Sequence, residues 1–281
     1  MKNIETWYQA TGHCATSEYE VVSYLFFEAG VSMLQELDSS NAERTDFCFF
    51  SESKEERDRI IAQFPQYEFT RNEEPAKDWD LWWRERAVPV SVSKRLWVRP
   101  PWVAFESEDP EAVILELEAK TAFGTGEHAT TALVASLMEQ IPMEGKTVLD
   151  IGTGTGILAM FAKRLGAKIA IGTEIDPLAL PCIAENFAKN GFKTSGAVLG
   201  FLDIFREEAH FDVIVCNMIR SELWPLRDDI ESRLLPRADL ILSGQLTAEK
   251  DYILNWFTES GFVIEAEASK EEWWGVHAKR I

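Results

Sequence analysis

Residues 148–161 read VLDIGTGTGILAMF: a run of strand formers, three glycines at alternate positions, then an apolar stretch at helical spacing. Strand, glycine turn and helix in that order open a nucleotide-binding βαβ unit. Glycine lets the backbone turn tightly and lets a ligand approach it closely, and the helix start presents free N–H groups. The dinucleotide fingerprint, G-x-G-x-x-G, holds a pyrophosphate against the helix N-terminus. Here Gly152, Gly154 and Gly156 follow a spacing one residue shorter, and an acid, Asp150, stands two positions before the first of them. A carboxylate there would sit beside the phosphates of NAD, but it can face the positive amino acid end of a ligand that has no phosphate.

The pattern D-x-G-x-G-x-G therefore reads as the first motif of an S-adenosylmethionine (SAM) methyltransferase in preference to an NAD site. A second acid, Glu174, ends the β-rich run KIAIGTE. It lies about 20 residues past the glycines, where such folds grip ribose hydroxyls. That contact serves either cofactor. Asp176 is assigned to capping the helix that begins near Pro177, because proline suits a first helical turn.

The elements that must position these residues follow from the rest of the pattern. In the first 75 residues, strand-like IETWYQAT (4–11) leads to a helix over SEYEVVSYLFFEAG (17–30), with a Ser17–Glu20 capping box and Gly30 as its stop. Strands VSMLQEL and DFCFFSE, a helix over KEERDRIIAQF and a strand near YEFTR complete a β-α-β-β-α-β order. That order predicts a small ferredoxin-like α+β domain over residues 1–75. A Trp-rich connector, 76–102, follows, with Trp79 and Trp83 on one helical face and prolines breaking the chain into extended pieces.

Residues 103–281 read as one α/β domain. Helix PLALPCIAENFAKNG, strand GAVLG and strand FDVIVCN follow the glycine loop. A helix over SELWPLRDDIESRLL, interrupted at Pro225, then strand ADLILSG and helix AEKDYILNWFTESG come next. The last two strands, FVIEAEA and WWGVHAKRI, are too close for a helix between them and must pair antiparallel. The expectation is a Rossmann-like, mostly parallel seven-stranded sheet with a final antiparallel hairpin, the methyltransferase form of the doubly wound fold.

Composition bounds the function. The chain has 281 residues, 46% apolar and 27% charged, and a formal net charge of -19. So acidic a surface repels nucleic acid and anionic membranes and suits a basic partner, although solubility alone also accounts for it. Cys14, Cys48, Cys182 and Cys216 lie far apart without clustered histidines, which argues for buried thiols in a reducing cytosol and against disulfides or a metal site. The N-terminal MKNIETWYQATG is too polar for a signal peptide, and no apolar run approaches membrane-spanning length. The expected setting is the cytoplasm, with no metal, no direct nucleic-acid binding and no membrane.

Two further stretches are more particular. TAFGTGEHATTAL (121–133) is a second glycine turn with a threonine pair entering a helix, and FDVIVCN stops at Asn217, at the carboxyl edge where open α/β sheets bind ligands. With LDIGTGTGILA, TEIDPLA, AENFAKNG and the connector RLWVRPPW, the chain resembles the PrmA family, methyltransferases of large-subunit ribosomal protein eleven. The resemblance implies SAM as cofactor, held by Thr131, Gly152, Glu174 and Asn217 beside Asp150, Gly154 and Gly156 of the loop. It implies a basic ribosomal protein as substrate, gripped by the small domain. Glu127-His128-Ala129 replaces the family's usual Thr-His-Pro, Glu174 its usual Asp, and NMIRSELWPL its Asn-Ile-Leu-Ala-Gly-Pro-Leu, where the acceptor enters.

The implied reaction is attack by a lysine or N-terminal amine on a sulfonium methyl. Holding a lysine amine neutral at pH 7 costs about 4 to 5 kcal/mol, which desolvation reduces, and alignment contributes roughly 7 to 11 kcal/mol. Asn217 is assigned to orienting donor and amine; His128 is a candidate proton relay or a residue bonding its own glycine turn. A methyltransferase of another protein lysine or a small molecule, and a non-catalytic SAM or nucleotide-binding module, remain as alternatives.

Overall fold

The structure, a computed structural model, describes residues 6–31, 34–37, 43–75, 87–117, 126–192 and 196–281. Trp79, Trp83 and the first half of the upstream glycine turn, 121–125, lie outside the described residues. The chain divides into two compact units, 1–86 and 87–281.

In the first unit, β1 (Thr6–Ala15), α1 (Tyr19–Glu28), β2 (Leu34–Leu37), β3 (Arg44–Ser51), α2 (Lys54–Ile61) and β4 (Thr70–Pro75) follow the β-α-β-β-α-β order. Their sheet runs β2-β3-β1-β4 with every neighbour antiparallel. Aromatic packing holds the helices on it: Phe26 of α1 stacks on Phe64 at 4.1 Å and meets Phe47 edge-on at 5.4 Å. Gly12 sits inside β1 because a Cβ there would come within 2.8 Å of the Phe69 ring. The Ser17 is not the N-cap of α1. The chain makes a 3-10 turn over Thr16–Glu18 first, so the α-helix starts after Glu18 with no side-chain cap. At the other end Gly30, at φ +95°, gives the expected stop, with Val31 N–H reaching back to Phe26 C=O.

The second unit opens with β5 (Val90–Ser91), β6 (Leu96–Arg99) and β7 (Val113–Glu116), a small sheet in which β6 and β7 are parallel. Residues 87–102, read from sequence as connector, thus supply strands to this unit. Val92, Leu96 and Val98 are buried in the same core as Leu137 and Met160, which fixes them to the larger fold.

That larger fold is a seven-stranded sheet. Its strands are β8 (Thr147–Ile151), β9 (Ile169–Glu174), β10 (Gly196–Leu199), β11 (Phe211–Asn217), β12 (Leu234–Leu246), β13 (Phe262–Lys270) and β14 (Trp273–Arg280). They lie in the order β10-β9-β8-β11-β12-β14-β13, parallel except for the last pairings with β14. The helices are α3 (Ala129–Met138), α4 (Ile157–Arg164), α5 (Leu180–Lys189), α6 (Arg220–Leu223), α7 (Arg227–Arg233) and α8 (Lys250–Glu259). Val148, Val213 and Val215 face the layer of α3 to α5, while Leu149, Ile214 and Leu240 face Ile230 of α7 and Ile253 and Phe257 of α8. Burial on both faces explains why these central strands read as nearly continuous apolar runs. Strand β12 begins at Leu234, earlier than the pattern suggested, because α7 ends at Arg233. Strand order reverses between β8 and β11, so the crevice at their carboxyl ends is the natural ligand site.

At the opposite end of the sheet, Asp239 is 2% exposed and binds Lys146 at 2.6 Å and His277 at 3.0 Å, with Lys279 at 3.5 Å. Burial pushes its pKa up, but the hydrogen bonds from His277 and Lys146 and the two lysine charges outweigh that and hold it at about 2. A folded value below the ordinary 3.8 means a contribution to stability that is complete above about pH 4 and lost as pH falls through 2. Asp239→Asn should therefore cost roughly 3 kcal/mol in urea denaturation at pH 7. The gap to the parent should narrow at pH 3; a gap independent of pH would refute the assigned ion pairs.

Candidate functional site

The glycine loop turns because Gly152, Gly154 and Gly156 all adopt left-handed φ, +68°, +55° and +85°. Five hydrogen bonds pin it. Asp150 Oδ2 accepts from Thr153 Oγ1 at 2.6 Å and from the Ala159 N–H at 3.2 Å in the first turn of α4. Thr153 N–H donates to Thr173 C=O of β9, and the Gly154 N–H to Glu174 Oε2 at 3.0 Å. Asn186 of α5, fully buried, donates to the Thr155 carbonyl at 3.1 Å. Nearby, Asn190 binds both backbone groups of Glu116 in β7. The two asparagines of AENFAKNG are thus structural clamps, one on the loop and one on the neighbouring sheet.

Above the loop, at the carboxyl ends of β8, β9 and β11, lies a cavity of ≈ 920 Å³. Gly152, Gly154, Glu174, Asn217 and His128 all line it. Asn217 Nδ2 donates to Thr131 Oγ1 at 3.4 Å, which ties the end of β11 to α3. His128 is the N-cap of α3: its Nδ1 accepts from the Thr130 N–H, its ring lies 2.8 Å from Thr130 Oγ1 and meets Trp273 edge-on at 5.2 Å.

Three of the sequence candidates sit elsewhere. Asp150 is 1% exposed and lies beneath the loop, its Oδ2 held by Thr153 and Ala159 and its Oδ1 buried without a hydrogen-bond partner. Burial pushes its pKa up to about 6 against the pull of those hydrogen bonds, and Glu174 adds to the rise. Thr131, 1% exposed, stands behind Asn217 and outside the cavity wall. Gly156 also lies outside the wall; a Cβ there would come 2.5 Å from the Phe187 ring, so its role is close packing of α4 on α5. Asp176 does not cap the helix: α5 begins at Leu180 with Ala179 as its N-cap and no side-chain cap, and Asp176 Oδ1 instead accepts from the Leu178 N–H at 2.8 Å in the turn before it.

Several wall residues carried no sequence signal. Gly244, at φ +93°, lets β12 pass so close that a Cβ would lie 2.6 Å from the Met218 carbonyl oxygen. Gln245 Nε2 donates to that same oxygen at 2.7 Å, and the Met218 N–H to Ser243 C=O, so the chain leaving Asn217 is held by three successive residues of β12. Thr173, 1% exposed, lines the cavity with a buried Oγ1 that has no hydrogen-bond partner. Trp273 and Glu222 complete the parts of the wall that concern ligand choice. Among the described residues, the acidic side chains in the wall are Glu174, Asp176 and Glu222, and no lysine or arginine lines it. Among the described residues, no cluster of three or more His, Cys, Asp or Glu is placed to hold a metal ion, and no helix is long and apolar enough to cross a membrane.

Comparison with known proteins agrees on one family. A family model described as Ribosomal protein L11 methyltransferase (PrmA) matches residues 50–281. The ribosomal protein L11 methyltransferase of Geobacter metallireducens is 36% identical over 197 residues, 70% of this chain and 64% of the relative, so the match spans just under two thirds of that protein's length. The one from Vibrio campbellii is 37% identical over 205 residues, 73% of this chain and 68% of the relative. The crystal structure of the ribosomal protein L11 methylase of Lactobacillus delbrueckii subsp. bulgaricus superposes with a TM-score of 0.63 at 30% identity, covering 68% of this chain and 98% of that one.

The placement of Asp150 generates a test of the site's electrostatics. With its folded pKa near 6 and an ordinary value of 3.8, the folded state holds the extra proton between those values. Stability therefore falls as pH rises from about 4 to 6. Asp150→Asn removes that dependence, so its stability relative to the parent should improve between pH 4 and pH 7 in urea denaturation. Parallel pH profiles for the two proteins would mean that the carboxylate is not buried as described.

Proposed function

The chain belongs to the ribosomal protein L11 methyltransferase family PrmA, and on that premise we propose that it transfers methyl groups from SAM to lysine side-chain or N-terminal amines of ribosomal protein L11. The observation that supports this reading is the charge of the cavity among the described residues: carboxylates at Glu174, Asp176 and Glu222 and no lysine or arginine in the wall. Such a wall favours a cationic cofactor and a cationic acceptor, and it disfavours the pyrophosphate of a dinucleotide.

The residues present fit the cofactor. Gly152 and Gly154 give it a backbone without side chains to lie on, and Glu174 stands at the end of β9 to receive the ribose. A carboxylate offers about four acceptor sites. Glu174 fills three of them with the N–H groups of Gly154, Ile175 and Asp176, which leaves room for a hydroxyl donor. The unpartnered Thr173 hydroxyl adds a second polar group on the same side. When bound, SAM supplies an electrophilic methyl group on a sulfonium.

The chain's own residues then have three tasks. Asn217, steadied by Thr131, orients the reacting ends. The clamped Met218 backbone shapes the entrance. The apolar wall contributed by Met218, Ile219, Leu226 and Trp273 excludes water and favours the neutral form of an entering amine. His128 acts as the cap of α3, which leaves the amine proton to solvent. The first unit, through residue 75, holds none of these groups, and we assign it to gripping the ribosomal protein. With a net charge of -19 the protein attracts a basic substrate and repels nucleic acid and anionic membranes. The reaction then takes place in the cytoplasm, where four buried free thiols, Cys14, Cys48, Cys182 and Cys216, persist.

The reading is tested by incubating the full chain with methyl-labelled SAM and purified ribosomal protein L11, with label on L11 as the expected result. Glu174→Ala should abolish transfer through loss of cofactor affinity in a protein that still folds; undiminished SAM binding in that variant would remove the ribose assignment. A shortened chain beginning at Asp78 should bind SAM like the parent and leave L11 unlabelled. Efficient labelling by the shortened chain would show that the first unit does not recognise the substrate.

A further inference from the structure

The segment that follows Asn217 departs most from the family it resembles, and it holds a carboxylate not yet accounted for. Glu222 lies on α6, a single turn whose position is fixed from both sides. Leu223 is fully buried under it, and Arg220 turns away, its Nε 2.6 Å from Glu249 Oε1 and its guanidinium over the Tyr252 ring at 4.9 Å. The N–H groups of Glu222 and Leu223 both bond the Ile219 carbonyl. The Glu222 side chain lines the cavity, and no described residue makes an ion pair or hydrogen bond with its carboxylate. The other two carboxylates differ: Glu174 receives three backbone N–H groups and Asp176 receives that of Leu178.

The three acids also divide by position. Glu174 and Asp176 follow β9, whereas Glu222 follows β11, on the other side of β8 and close in sequence to Asn217. After burial itself and Asp150, Glu222 is the next cause that raises the thiol pKa of Cys216 in β11, so its charge is felt at the inner end of that strand. A free carboxylate at the mouth of a pocket, next to the residue that orients the reacting groups, suits a primary ammonium ion.

We propose that Glu222 is the specificity-determining residue that captures the acceptor as its ammonium form, an assignment that rests on the methyl-transfer reading above. The attraction has two linked effects. It draws the charged amine to the cavity mouth, which lowers KM. It also stabilises the protonated amine there, which raises the pKa of the bound acceptor, so that the proton must be given up to water before the nitrogen lone pair is available. Both effects draw on one interaction energy, and removing the charge must change them together.

The test compares the parent with Glu222→Gln and Glu222→Asp, using ribosomal protein L11 as acceptor. KM for L11 in Glu222→Gln should rise roughly fivefold, the upper range for an exposed ion pair. The acidic limb of kcat against pH should move down by ~0.7 unit, because the bound amine loses the charge that favoured its proton. Glu222→Asp should restore most of both, and the dissociation constant for SAM should be unchanged in either variant. Parent values of KM and of the pH limb in Glu222→Gln would overturn the proposal. So would a loss confined to SAM affinity, which would place Glu222 on the cofactor side. A parent enzyme that leaves L11 unmethylated overturns the methyl-transfer reading itself, an outcome separate from any difference between the variants.

Discussion

A carboxylate buried under a loop of glycines is the constraint on which the rest of the site depends. Asp150 cannot leave its place at the end of β8, where it is 1% exposed, and it holds the loop to the helix by bonding Thr153 and the Ala159 N–H together. Burying that charge is costly, as the rise of its pKa to about 6 records. In return three alternate left-handed glycines are held in one conformation, which a glycine-rich segment on its own would not keep. The Gly154 N–H then points at Glu174, and through that bond the ends of β8 and β9 are set relative to one another. Preorganisation of this kind means that a ligand meets a cleft already shaped for it and does not have to order the loop on arrival.

The same logic extends across β8 to the acceptor side. Gly244 brings β12 against the Met218 backbone, Gln245 and Ser243 hold that backbone, and Asn217 is braced by Thr131. Each half of the cavity therefore has its own set of clamps, and among the described residues each half carries a carboxylate in its wall. At molecular scale the net charge of -19 repeats the local one. Long-range attraction for a basic protein and local attraction for an ammonium group point the same way, and both weaken with salt.

Much of this was legible in the sequence, for reasons that differ from element to element. The mostly parallel seven-stranded sheet follows from the alternation of apolar runs with amphipathic helices and its antiparallel end from the short spacer before β14, and the distance between Gly154 and Glu174 marked the carboxylate that bonds the loop. What failed was direction. Position along a strand end does not say whether a side chain points into a cleft or under a loop, so Asp150 and Thr131 were expected at the ligand when one lies beneath the loop and the other behind Asn217. Gly156 was read as part of the cradle, but its missing Cβ makes room for Phe187. Ser17 is not the cap of its helix because the chain makes a 3-10 turn there first. Gly244 and Gln245 were invisible because their partner, Met218, is distant in sequence; an isolated glycine near the end of a strand was the one available sign of a close backbone approach.

The central claim is that the cavity over the glycine loop is built for a cationic, phosphate-free nucleoside and not for a dinucleotide. Titration calorimetry of the full chain with SAM and, separately, with NAD tests it most directly. The account predicts saturable binding of SAM that is lost in Glu174→Ala, and no heat of binding with NAD at the same concentrations. Tight NAD binding, or SAM binding indifferent to the loss of Glu174, would contradict it.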